Sequence, residues 1–168
     1  FQIKKDPRLP TTQEQYQKQF ELLMAIRDKV SATHDAINEI QKTQKQIESV
    51  AQKAGTDHSI QESARKLNGK LDGLLHTLYE PRFSGFDDQT LIYELRLNNR
   101  MAALQSYVQG DYGPTDQDYD VFKEVSAEID RALASVKHVL EVEVPAFKDA
   151  TQKSGAAGKE GRQPVGMH

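Results

Sequence analysis

The sequence predicts an all-α protein, an elongated antiparallel helical bundle of four helices, and three observations carry that reading. The first is a pair of long heptad stripes. One runs Tyr16, Gln19, Leu23, Ile26, Val30, Thr33, Ile37, Ile40, Gln44, Ile47, Ala51 and Ala54, and the other runs Tyr119, Phe122, Ser126, Ile129, Leu133, Val136, Leu140, Glu143 and Phe147. A mean period of 3.5 keeps one side of a helix against a partner helix. The second is composition: 37% hydrophobic and 28% charged residues over 168 positions suit long surface helices and a sizeable core. The third is punctuation, because prolines, glycines and capping signals fall between the stripes.

Phe1 to Lys5 begins with apolar–polar alternation, the period of a half-buried strand. Residues 1–10 are therefore expected to be the end of an upstream β domain, a short strand remnant followed by the stiff connector Asp6-Pro7-Arg8-Leu9-Pro10. The opening at Phe1 is read as a piece of a longer polypeptide. The bundle domain occupies residues 11–152. Its first helix starts at a Thr11/Glu14 capping box and runs to about Ala54, where Gly55 supplies a left-handed stop. The second spans about Asp57 to Tyr79 with the stripe Ile60, Ala64, Leu67, Leu71, Leu74 and Leu78. Gly69 and Gly73 on it imply close approach of a neighbouring helix.

Pro81 ends that helix, and a loop to Asp88 carries Phe83 and Phe86, expected to tuck into the bundle. The third helix is expected from about Asp88 to Gln109, with Leu97, Met101, Leu104 and Val108 inward. A tight turn, Gly110 to Pro114, leads to a Thr115/Asp118 capping box and a fourth helix reaching about Gln152. Pro145 has no amide for the carbonyl of Glu141, so a kink or an early end is expected there. Residues 153–168 hold four glycines and no stripe, and are expected to be a disordered tail.

Two arrangements fit these lengths. Four helices can run up, down, up and down, or the second and third can form one broken arm beside two long helices. The narrow C-terminal half of the first stripe, with Thr33 and Gln44 on its seam, favours the broken arm. That choice makes the fourth helix parallel to the first and sets Tyr119 and Phe122 near Tyr16 and Phe20.

The chemistry-bearing residues form no catalytic or metal pattern. A di-iron bundle needs Glu three residues before each ligand histidine, and Ser31, Gly55, Gly73, Ser135 and Val165 precede the five histidines at that spacing. No metalloprotease, phosphate-loop or nucleophile-elbow motif occurs. Without cysteine there are no disulfides and no thiolate chemistry. A net charge of −3 with interspersed signs offers no basic patch for nucleic acid, and no apolar run is long enough for a membrane span. Asp111, Asp116, Asp118 and Asp120 miss calcium-loop spacing, and Asp116 and Asp118 fall in the first turn of the fourth helix, where the helix dipole favours negative charge. His34 and His138 border the stripes and are expected to bond neighbouring helices. Glu143 sits on the core stripe near its solvated end. Asn98 and Asn99 stand inside the expected third helix against their propensity, so they are candidate structural or interaction residues, as are Phe83 and Phe86. No cofactor-binding residue is identified.

Several segments together resemble a known family. These are Lys5-Asp6-Pro7-Arg8-Leu9, Gln19-Phe20-Glu21-Leu22-Leu23, Ile26-Arg27-Asp28-Lys29-Val30, Arg96-Leu97-Asn98-Asn99-Arg100-Met101, Gly113-Pro114-Thr115-Asp116-Gln117 and Phe122-Lys123-Glu124-Val125-Ser126. The series is similar to the C-terminal region of bacterial sortilin-like β-propeller proteins with BNR (Asp-box) repeats, which carry the label glycosyl hydrolase. The resemblance covers the chain to about Phe147. It implies an upstream β domain and propeller as partners in the same chain, and an extracytoplasmic location. It also implies that any hydrolase chemistry lies outside this fragment. Where such proteins carry proline near Glu94 this chain does not, which implies an earlier start of the third helix here. The expected role is a non-catalytic accessory or interaction domain, structural or adhesive, docking on the propeller, a partner protein or the cell envelope. The alternative is a glycan-binding or hydrolase-assisting role using Tyr79, Phe83, Phe86, Tyr107 or Tyr112 as stacking platforms.

Overall fold

Helix α1 spans Gln13–Lys53, and its N-terminus is capped one residue later than expected. In this computed structural model, which describes residues 4–55, 57–82 and 92–160 with side chains as far as 153, the reciprocal box is Thr12 with Gln15. The Gln15 amide donates to Thr12 Oγ1 at 3.2 Å, and the Thr12 amide donates to Gln15 Oε1 at 2.8 Å. Thr11 is freed from capping and is buried. The strand expected at Phe1 to Lys5 lies mostly outside the described residues; Lys4 and Lys5 have no regular structure. Asp6 to Leu9 closes a turn, the Leu9 amide donating to the Asp6 carbonyl at 3.2 Å.

Helices α2 (His58–Leu78), α3 (Leu97–Val108) and α4 (Asp116–His138) follow. A π-helical turn, Val139–Glu143, then joins α4 to α5 (Val144–Glu160). No strand occurs among the described residues, and the protein is an all-α bundle of packed helices. Gly55 takes φ +61°, the left-handed stop expected after α1. Asp57 caps α2 as expected, its Oδ1 accepting from the amides of Ser59 and Ile60 at 3.1 and 3.3 Å.

Three elements depart from the sequence reading. The third helix starts at Leu97 instead of Asp88, with residues 92–96 irregular and Arg96 extended at ψ 173°. Asn98 and Asn99 therefore sit in a first helical turn, where amides lack intrahelical partners, and no longer conflict with propensity. At Pro145 the helix does not end. The Val144 amide donates to the Val139 carbonyl, a five-residue step that inserts one residue just before the proline. This step shifts the stripe. Val139 and Val144 are buried, while Leu140 and Glu143, both placed in the core by the heptad, stand half-buried at its edge. Finally, α5 continues past the expected tail start at Lys153 to Glu160; the backbone of this glycine-containing stretch still extends the preceding turn. Residues 161–168 lie outside the described residues.

The chain divides into two compact units, one of residues 1–37 with 76–133 and one of residues 38–75 with 134–168. In the first unit, Lys29 Nζ meets Asp130 Oδ1 at 2.7 Å, and Lys18 senses Tyr119 electrostatically. These two pairings share one offset, so α1 and α4 run parallel there. Arg100 reaches Glu124 and Glu128 at 3.4 and 3.1 Å, and Tyr107 lies beside Thr115 to Val121, so α3 is antiparallel to α4. In the second unit, Lys148 Nζ donates to Gln46 Oε1 at 3.2 Å and Lys70 Nζ meets Glu143 Oε2 at 2.6 Å. Lys53 and Ala54 further line a trough with Thr151 and Gln152, and Ser63 and Leu67 line one with Phe147 and Ala150, so α5 again runs parallel to α1, with α2 antiparallel. Each unit thus has a three-helix section, α3 serving one and α2 the other, and the parallel run of α1 and α4 that the sequence reading favoured is present in the first. The aromatic packing expected with it is not formed by Phe20, which is 57% exposed.

The cores follow the stripes with local shifts of one residue. Ile26, Thr33, Ile37, Ile40 and Ile47 of α1 are buried, but Leu22 replaces Leu23 and Thr43 replaces Gln44. On α2, Leu75 is buried where Leu74 was expected; on α4, Ala132 is buried where Leu133 was expected. A straight helix drifts against a 3.5 repeat, so the buried residue migrates across the stripe. Gly69 and Gly73 do not mark a close approach: both are exposed, and an added Cβ would meet nothing within 4 Å.

Candidate functional site

The feature of chemical interest in the first unit is the turn between α3 and α4, residues 109–115. Its carbonyls converge on one side chain. The two N–H donors of Gln19 Nε2 are shared among the carbonyl oxygens of Val108, Gly110 and Tyr112, at 2.7, 2.7 and 3.1 Å. Thr11 Oγ1 donates to the carbonyl of Asp111. Gly113 packs so closely on α1 that a Cβ there would stand 2.8 Å from Gln15 Cβ. The Thr115/Asp118 box forms as expected, with the Thr115 amide and hydroxyl each donating to Asp118 Oδ2 at 2.8 Å and the Asp118 amide donating to Thr115 Oγ1 at 3.3 Å. An irregular turn is thereby held at both ends and in the middle.

Around this frame four aromatic side chains face solvent: Tyr107 is 78% exposed, Tyr112 68%, Phe20 57% and Tyr119 39%. Tyr107 also borders a groove of about 320 Å³ between α3 and α4, whose polar rim includes Arg100, Thr115, Gln117 and Asp118. Large apolar rings on a fixed backbone lose little entropy when a partner covers them, which is the profile of interface anchors.

A second cluster brackets residues 83–91. Glu80 is 2% exposed and binds Arg82 through paired contacts, Nε to Oε1 at 2.7 Å and Nη2 to Oε2 at 2.9 Å. These bonds, outweighing the desolvation that opposes them, hold the Glu80 carboxyl down at about 2. The Arg82 guanidinium lies 4.6 Å above the Tyr93 ring. One cation therefore ties the chain before residue 83 to the chain after residue 91.

The sequence-predicted site residues are distributed unevenly. Asn98 is buried and Asn99 half-buried, and the Oδ1 of each is buried without a hydrogen-bond partner among the described residues. Arg96 Nε and Ser126 Oγ are in the same condition. Phe83 and Phe86 lie outside the described residues. Tyr79 is half-buried, which leaves Tyr107 and Tyr112 as the open rings of the stacking set. His34 and His138 are both exposed, in contrast to the expected bonds to neighbouring helices. Among the described residues no group of three or more His, Asp or Glu side chains could hold a metal ion, and no helix is long and apolar enough to cross a membrane. Sequence reasoning missed Gln19 and Thr11, because a clasp on backbone carbonyls leaves no side-chain partner to read. It also missed Glu80, whose partner is two residues away and whose burial comes from the fold. Comparison with family models, with curated proteins and with solved structures found no match.

Proposed function

We propose that this chain is a non-catalytic helical accessory domain that works by docking, within a larger extracytoplasmic protein of the sortilin-like, BNR-repeat type that its sequence resembles. The observation that supports this reading is the set of exposed rings, Phe20, Tyr107, Tyr112 and Tyr119, arrayed around a turn fixed by Gln19 and Thr11. A photo-reactive residue placed at position 107 or 112 should cross-link to one discrete protein surface, with the same group at exposed Lys123 as the control. Cross-linking that is equally weak at all three positions would remove the basis for docking through the rings.

A glycan-binding role is the second reading, favoured by Tyr107 standing beside a groove with a polar rim. Screening the full chain on a glycan array with a glycosidase substrate panel separates the two. Saturable sugar binding lost in Tyr107→Ala, or turnover of any substrate, would replace the docking reading.

A further inference from the structure

The second unit carries a surface that the docking reading does not use. Two troughs lie along the C-terminal half of α1 and share Val50 and Lys148 in their linings. The one nearer the end of α1 has a volume of about 550 Å³, with Val50, Ala54 and Ile60 supplying an apolar floor and Lys53 and Lys148 its rim. The other, about 680 Å³, is lined mainly by polar and charged side chains, Lys42 and Lys45 among them. Lys45 and Lys53 form no ion pair among the described residues. Among the described residues Lys148 Nζ reaches only the neutral amide of Gln46, at 3.2 Å, and Lys42 meets Glu39 at 3.4 Å. Asp57 is the one carboxylate among the lining residues, and its Oδ1 already caps α2. The charge is local: the second unit has 11 Lys and Arg against 9 Asp and Glu, a balance of +2, and the first has 11 against 16, a balance of −5.

We infer that the two troughs form one docking groove for an acidic amphipathic segment of another polypeptide. Its apolar side chains would enter the Val50–Ala54–Ile60 floor, and its carboxylates would meet Lys42, Lys45, Lys53 and Lys148. The lysine spacing selects this occupant. Lys42 and Lys53 are separated by ~16 Å along the helix axis, so a single anionic headgroup cannot meet both, while a chain with several carboxylates can. The apolar floor in turn gives a hydrophobic side chain a place that a phosphodiester backbone would leave empty. This groove belongs wholly to the second unit and is independent of the rings on the first.

The test uses the full chain and a fluorescein-labelled synthetic peptide of about 16 residues, long enough to follow α1 from Asn38 to Ala54. The peptide carries Glu on one helical face and Leu and Phe on the other. Fluorescence anisotropy should show saturable binding that weakens with salt and falls about tenfold or more in Lys45→Glu/Lys53→Glu. Both substituted side chains are exposed, and an unchanged melting curve confirms that the variant folds. Val50→Glu, at the junction of the troughs, should weaken binding as well, and Tyr107→Ser/Tyr112→Ser should leave it unchanged. The inference is overturned by absence of saturable binding, or by equal binding of a peptide with Ser in place of Leu and Phe. Tighter lysine-dependent binding of a single-stranded oligonucleotide or of phosphatidylglycerol vesicles overturns it too, as does a self-association that these lysine changes abolish.

Discussion

The first unit ties its helices with polar side chains, and the second relies on its apolar seam. Both have an Ile, Leu and Val core, yet the first buries Thr11, Thr33, Glu80, Asn98 and Ser126, while the second buries only Thr43 among the described polar residues. Among the described residues, four of the five buried polar atoms without a partner also fall in the first unit, with Asn68 Oδ1 in the second. Apolar burial supplies most of the driving force in both, because each such side chain contributes about 1.5–3 kcal/mol. Buried polar groups contribute less net stability and cost more when unpaired. They do fix geometry: the turn at 109–115 has one position because its carbonyls have one set of donors. The first unit is therefore the more specified and the less efficiently stabilised, and hydrogen exchange should find it opening before the second.

The largest effects should come from the cores. Ile129→Ala in the first unit and Leu71→Ala in the second, both fully buried, should each cost about 2–5 kcal/mol in chemical denaturation. If the units open separately, exchange protection will fall mainly in the unit that carries the substitution; a uniform loss in both would show one cooperative transition. Leu133→Ala, on a residue that the heptad placed in the core but that is half-buried, should fall at or below the bottom of that range.

Next comes the clasp. Gln19→Ala removes two N–H donors shared among three carbonyls and should cost about 1–3 kcal/mol, since each donor's bonding contributes about 0.5–1.5 net and all are partly exposed. Gly113→Ala should cost about as much by pushing a methyl group into Gln15. Asn98→Leu should instead be neutral or raise stability by about 1 kcal/mol, because it replaces an unpartnered buried amide oxygen by an apolar group of similar size. A large loss in that variant would reveal a hidden partner and undo the contrast between the units.

The last prediction shows itself in acid. The Glu80 carboxyl is held at about 2 against 4.5 when free. A depressed carboxylate contributes stability above its unfolded pKa and loses it as pH falls through the folded value. The Arg82 tie should therefore weaken between pH 4.5 and 2, and Glu80→Gln should flatten the acid limb of the first unit's unfolding curve. An identical acid limb in that variant would mean that other carboxylates dominate.

Fold class was legible because the heptad stripes, the Asp57 cap, the Gly55 stop and the Thr115/Asp118 box are local signals. Each needs only residues within a turn or two. The parallel run of α1 and α4 was legible from stripe width, as Thr33 and Gln44 narrow the seam. The start of α3 was not, because Arg96 offers no side-chain cap and the residues before it continue an apolar pattern. The capping box at α1 slipped by one because Thr11 and Thr12 are chemically equal, and only the carbonyl of Asp111 chooses between them. The site was mostly illegible for the same reason: Gln19 acts on backbone atoms about ninety positions away, which leave no mark in side-chain pattern.

The π turn at Val139–Glu143 has a consequence for how this helix could lengthen or shorten. One residue added to an α-helix swings everything beyond it by ~100°, which would ordinarily carry Phe147 out of the core. Here a single wide turn absorbs the addition, so the segments before and after it keep separate hydrophobic phases. The turn works as a phase shifter, letting the ends of the helix answer to different neighbours. A deletion within 139–143 would be read downstream as a rotation: Glu143 and its bond to Lys70 would turn inward or break, and the wall bearing Lys148 would face another way.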